Sequence, residues 1–182
     1  TIERTYANKK PIAIMVPVNL RSLYPSRTMR NFVTFVRIIF LPSSCKSVED
    51  CAKEAYRQLK IETAKDKLDA FISTTVRAQK NWLLKTLPLF VKTALIRFGK
   101  LFMRSRQTMI FSNLGNIVSP EAMGVDRYIL NMNVSKNNVQ NLGAITTNGK
   151  TNLGFTRYIE ENDLPEAFFD VLEQKGIKLT RV

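Results

Sequence analysis

VQNLGAITTNGKTNLGFTRY, residues 139–158, decides the architecture. Asn148-Gly149 sits midway between two β-rich runs, Val139–Thr147 and Thr151–Tyr158. A two-residue hairpin turn needs positive φ at both central positions, which Asn and Gly supply at the least cost. The stretch therefore reads as two antiparallel strands.

Working back from that hairpin, Thr108–Phe111 is a short β run that ends in Ser112-Asn113-Leu114-Gly115, and Tyr128–Val134 alternates like a further strand. Near the start, Pro11–Leu20 (PIAIMVPVNL) is apolar and β-rich. Met29–Leu41 places Phe32, Thr34, Val36 and Ile38 against Val33, Phe35 and Arg37 at period two, so both segments read as strands. Arg21–Arg27, polar and containing Pro25, forms the loop between them.

The middle of the chain is helical. Pro42-Ser43-Ser44 closes the second strand, and Ser47 with Asp50 three positions on forms a capping box. Val48, Cys51 or Ala52, Ala55 and Leu59 follow at helical spacing, and the pattern continues past a break through Phe71, Ile72 and Val76 to Lys80. A basic amphipathic stretch spans Trp82–Met103, with Pro88 near its start and Gly99 weakening its later part. Downstream of the hairpin, Asp163 with Glu166 opens a last helix that holds Pro165 in its first turn and ends at Gly176.

Two strands, two or three helices, four strands and a helix predict an α/β (α+β) sandwich: a mixed, largely antiparallel sheet with helices packed on one face. Regular βαβ alternation is lacking, which argues against a doubly wound dinucleotide fold. At 182 residues and 45% hydrophobic, the chain is expected to form one domain, 1–182. It starts at Thr1 rather than Met, and the expectation is that part of the protein lies upstream.

Composition removes several chemistries. The chain has no histidine, so Ser-His and Cys-His pairs are excluded. Cys45 and Cys51 are the only sulfhydryls. They are too few for a zinc site and too close for an easy disulfide, so reduced packing thiols in a cytoplasmic protein are expected, without a metal. Glu49, Asp50, Glu54, Glu166, Asp170 and Glu173 fall in helices, where solvated or capping roles dominate; Glu160 and Glu161 border the last loop. No GxGxxG or Walker pattern occurs. No 18-residue apolar run exists, because Lys85, Lys92, Arg97 and Lys100 interrupt the most hydrophobic region.

Twenty-eight Lys and Arg against fifteen Asp and Glu leave a net charge of +13. The imbalance is local: no acidic residue occurs between Asp69 and Glu121, whereas Arg77, Lys80, Lys85, Lys92, Arg97, Lys100, Arg104 and Arg106 do. Such a field attracts phosphates. A basic module on an anionic membrane surface is the alternative function this segment raises. Apolar residues nearly encircle the 82–103 helix, however, which predicts burial on a sheet instead. Nucleic acid has no support beyond charge, because no nucleic-acid-binding motif accompanies it.

Val16-Pro17-Val18-Asn19-Leu20-Arg21, then Arg30-Asn31-Phe32, then helices, then Ser112-Asn113-Leu114-Gly115 and the closing hairpin, helix and Gly176-Ile177 resemble the C-terminal half of one acyltransferase superfamily. That superfamily comprises the chloramphenicol-acetyltransferase-like, condensation-domain and alcohol-acetyltransferase-like enzymes. The resemblance covers nearly all 182 residues. It implies transfer of an acyl group from coenzyme A or a phosphopantetheine-bound thioester to an alcohol or amine, in a tunnel between two pseudo-symmetric halves. The family's general base belongs to a His-His-x-x-x-Asp motif of the first half, which this chain lacks, so the chain is expected to be inactive alone and its partner to be its own N-terminal half. On the same resemblance Ser112, Asn113, Gly115 and Asn31 border the tunnel, where hydroxyl or amide groups hold the pantetheine arm or the developing oxyanion. Asn19 and Arg21 lie at the domain junction. The plainer reading of the Ser112–Gly115 turn is that Asn113 caps backbone and Gly115 permits a tight approach.

Overall fold

The computed structural model describes residues 11–29, 31–42, 45, 47–82, 86–102, 107–118, 124–136 and 138–181. Its centre is a five-stranded mixed sheet of order β2-β1-β3-β4-β5, with β1 Ile12–Asn19, β2 Val33–Phe40, β3 Met109–Asn116, β4 Gln140–Thr147 and β5 Lys150–Arg157. The outer pairs, β1–β2 and β4–β5, are antiparallel and fully registered. The inner pairs, β1–β3 and β3–β4, are parallel. Four helices complete the fold: α1 Val48–Glu62, α2 Lys65–Lys80, α3 Leu89–Phe102 and α4 Asp163–Gln174.

The hairpin forms as read. Asn148 at φ 50 and Gly149 at φ 77 both occupy the left-handed region, and the right-handed twist of the strands favours such a turn. The α+β class and the mixed sheet with helices also hold.

The Tyr128–Val134 expectation fails. This segment is not a strand but extended chain lying across a face of β4–β5. Met132 N–H donates to Thr156 Oγ1, and the Asn133 carbonyl accepts from Asn141 Nδ2 at 2.7 Å. Period-two alternation arises because one side of the segment rests on the sheet, a pattern that pairing is not needed to produce. Two glycines make room for it. A Cβ at Gly143 would overlap the Leu130 carbonyl oxygen and come within 2.9 Å of Leu130 Cγ; at Gly154 it would come within 3.2 Å of the same carbonyl.

The opposite face of β4–β5 takes α4. Phe155 meets Phe168 and Phe169 edge-to-face with centroids 5.3 and 5.8 Å apart, the arrangement favoured by the ring quadrupoles. Because β4 is covered on both faces, nearly all of it is buried, including the wholly enclosed Asn141. Gly176 at φ 79 ends the α4 region, with the Ile177 N–H returned to the Leu172 carbonyl. The helix begins at Asp163 as expected, with Asn162 as the N-cap, whose Nδ2 donates to Glu166 Oε1 at 2.6 Å.

At the other end of the sheet, α1 opens on the expected Ser47/Asp50 capping box and packs on β2. Gln58 of α1 pairs with both backbone groups of Ile39, accepting from its N–H and donating to its carbonyl at 2.8 Å each. It thereby blunts the outer edge of the sheet, where an unpaired strand invites foreign pairing. Lys175, just beyond α4, reaches Glu49 in the first turn of α1 at 3.2 Å, which bridges the two helices. Cys45 and Cys51 form no disulfide. Burial, together with the neighbouring Cys45, pushes the Cys51 thiol up to about 11, so it stays protonated at neutral pH.

Gly143→Ala is expected to destabilise the chain by about 1–3 kcal/mol, because β4 and the 130 region cannot both hold position around the added methyl. Gly149→Ala, with open space around it but a positive φ, is expected to cost about 1 kcal/mol through backbone strain alone. Urea unfolding midpoints check both, and equal effects would contradict the close approach at residue 143.

Candidate functional site

Parallel pairing of β1, β3 and β4 brings their carboxyl ends to one end of the sheet. That end carries the β1 terminus with Asn19 and Arg21, the entry to β2 with Asn31, the β3 terminus with Ser112 to Gly115, and the β4–β5 turn. Ligands of sheets with parallel strands bind preferentially at such ends. The topology thus gathers every residue singled out from the sequence into one region.

The region contains an opening. β1 and β3 pair only at Ile14↔Met109 and Met15↔Ile110; beyond these, Val16–Asn19 and Phe111–Asn116 continue as strands without pairing to each other. Pro17 accounts for this. Thr108 N–H donates to the Ala13 carbonyl, and Ala13 N–H donates to Thr108 Oγ1, so the backbone groups of Ala13 point toward β3. Strand alternation then aims Met15, Pro17 and Asn19 the same way. Pro17 has no N–H to give, so the ladder stops where it would otherwise continue.

The far wall of the opening is the end of β3. Ser112 is buried, whereas Asn113, Leu114 and Gly115 are exposed. Successive strand residues point to opposite faces, so Ser112 and Asn113 do not line a common wall. Asn113 Oδ1 accepts from Gly115 N–H at 2.8 Å, and Gly115 adopts φ 73 in open space. The β3–β4 register shifts by one residue there, a β-bulge between Asn113 and Asn116. The Asn113 oxygen therefore holds the bulge. Of the group, Ser112 is the buried one, and its register with Gly143 puts its side chain on the face of the sheet that Gly143 shares.

On the near wall, Asn19 Oδ1 accepts from Arg21 N–H at 3.0 Å, and Arg21 Nη2 donates to the Thr28 carbonyl at 2.9 Å. Both residues brace the β1–β2 loop. Asn31 is exposed and precedes β2, and Arg30 lies outside the described residues. Tyr24 fastens the same loop to α2 by donating its hydroxyl to Asp69 Oδ1 at 2.6 Å, a bond that lifts the phenol to about 12.

Asn141, which motif reading missed, ties the region together: its Oδ1 accepts from Ile110 N–H, and its Nδ2 donates to the Asn133 carbonyl. The signal was an amide inside a buried strand, where polar side chains usually find partners. The other titratable groups with marked shifts lie elsewhere. The Arg57 guanidinium, with help from Gln58, holds Glu54 down at about 2 on the exposed side of α1. Among the described residues no three His, Cys, Asp or Glu converge as a metal site, and no helix is long and apolar enough to cross a membrane.

No family model and no curated protein matches the chain. Among solved structures it is similar to the epimerization domain from the third module of tyrocidine synthetase B. The TM-score is 0.57 at 13% sequence identity, covering 94% of this chain and 38% of that one. The fold is thus condensation-domain-like, and the chain spans well under half of that neighbour's length.

The Tyr24–Asp69 bond sets a pH dependence. The phenol is raised above its usual 10, so its stabilising contribution is complete below pH 10 and is lost as pH rises through about 12. Alkaline titration followed by phenolate absorbance is expected to show one tyrosine ionising near that value, and Tyr24→Phe is expected to abolish that late step alone. A late step that survives the substitution would place the bond elsewhere.

Proposed function

We propose that residues 1–182 are one domain, the C-terminal half of a cytoplasmic acyltransferase of the condensation type, joined in the intact enzyme to an N-terminal half that supplies the catalytic histidine. The observation that carries this reading is the asymmetry of the structural likeness: 94% of this chain is matched, but only 38% of the neighbour. The chain's own surface supports it. Phe35 and Val33 on the free face of β2 are 51% and 43% exposed, apolar surface that a second half would cover.

In this reading the acyl donor is a thioester of coenzyme A or of a carrier-bound phosphopantetheine, and the acceptor is an alcohol or an amine. The upstream histidine takes the proton from the attacking hydroxyl or amine. The new bond forms at the thioester carbonyl, a tetrahedral oxyanion develops, and the C–S bond then breaks to release the protonated thiol. This chain contributes a wall. Ser112 beside the gap between β1 and β3 offers a hydroxyl to the oxyanion or the pantetheine arm. Asn113 and Gly115 shape the bulge that sets its position, while Asn19 and Arg21 keep the adjoining loop at the junction with the other half.

The reading frame upstream of Thr1 tests the proposal. It is expected to encode about 150–250 further residues containing His-His-x-x-x-Asp, and the complete protein is expected to release free thiol from an acyl-coenzyme A in the presence of an alcohol or amine. Ser112→Ala in that complete protein is expected to lower kcat/KM about 10- to 100-fold with little change in Tm. Arg21→Ala is expected to lower Tm more than kcat/KM. An upstream frame without that motif, or no thiol release across both acceptor classes, would sink the reading.

A further inference from the structure

Helix α3 is the element that the acyl-transfer reading leaves unused. Leu89, Phe90, Leu95 and Phe98 are 78%, 75%, 52% and 64% exposed, so the sequence-based expectation that this helix buries itself on the sheet is not met. At 3.6 residues per turn, Phe90, Val91, Ala94, Leu95 and Phe98 fall on one arc of about 140°. Lys92, Thr93 and Arg97 fall on the other side, with Leu89 at the N-terminus among them. The helix is open on both sides, for Leu89, Thr93 and Arg97 are exposed as well, and the apolar arc therefore stands in water at Phe90, Ala94, Leu95 and Phe98.

Charge narrows the choice of what covers it. A water-facing helix of this length commonly carries Glu–Lys pairs, yet α3 has no acid, and none occurs from Ala70 to Pro120. A nucleic acid would neutralise the cations and leave the phenyl rings in water. An anionic bilayer meets both demands at once, taking the apolar arc into the boundary of headgroups and acyl chains while its phosphates face the cations. At 14 residues the helix is about 21 Å long, which suits lying along the interface and not crossing it.

We propose that α3 docks this chain onto an anionic lipid surface, with Phe90, Leu95 and Phe98 inserted and Arg97 at the rim. Trp82, the chain's only tryptophan, precedes α3 and is 68% exposed, so it reports the event. The docking is independent of acyl transfer, and its test uses no enzymatic readout.

The measurement is Trp82 emission and co-sedimentation of the 182-residue chain with vesicles of phosphatidylserine and phosphatidylcholine, against vesicles of phosphatidylcholine alone. Anionic vesicles are expected to blue-shift the emission and to bind at least about tenfold more tightly than neutral ones. The exposed double substitution Phe90→Asp/Phe98→Asp is expected to weaken binding about tenfold or more, with the far-ultraviolet circular dichroism and urea midpoint retained. Arg97→Glu is expected to weaken it in proportion to the anionic lipid content. No binding to anionic vesicles, or binding that the Phe substitutions leave intact, overturns the proposal. So does capture of a single-stranded oligonucleotide by the chain with no vesicle binding, which would assign the cations to nucleic acid.

Discussion

Everything at the functional end of this fold depends on where the β1–β3 ladder stops. Two residue pairs join a β1–β2 unit to a β3–β4–β5 unit, and Pro17, whose backbone nitrogen is aimed at β3, withholds the donor that would extend the join. The ladder between the two units is short for that reason. The rest of the sheet tolerates it because both outer pairs are fully registered on their own.

The β4–β5 end is rigid for a different reason. Residues 126–134 carry few backbone bonds of their own and are held instead by side chains: Asn141 to the Asn133 carbonyl, Thr156 to Met132, and Asn148 to the Asp126 carbonyl. Gly143 and Gly154 are the complement, since their missing methyls let the Leu130 carbonyl sit close over the sheet. Bonding is what makes a buried amide tolerable in such a place, and it is not universal here, since Gln140 Oε1 and Thr147 Oγ1 of β4 have no partner among the described residues. Asn141 meets that condition at both ends, and it does so while also accepting from the β3 backbone. One amide thus couples the strand beside the opening to the segment that covers the sheet.

These details show what was legible in the sequence. Asn148-Gly149 and Ser47/Asp50 were readable because local backbone chemistry decides them within four residues. Tyr128–Val134 was not, because alternation records a one-sided contact and is blind to whether the contact is a ladder or a surface. At the candidate site the motif residues gather at one end of the sheet. Their side chains could not be assigned from motif order alone: the sequence reads Ser112–Gly115 as a turn, whereas β3 runs on through Asn116, so strand alternation sends Ser112 and Asn113 to opposite faces.

The helices divide by the same physics. α4 settles on the sheet because Phe168 and Phe169 have Phe155 to meet, and α1 settles on β2 because Gln58 satisfies an edge that would otherwise stay open. α3 has larger apolar side chains than α1, so the hydrophobic effect alone would rank it first for burial. What separates it is the absence of any acid across that part of the chain. Among the described residues the strands carry no carboxylate, so the sheet has no ion pair to give the Arg97 rim, whereas an anionic surface covers the apolar arc and pairs that rim at once.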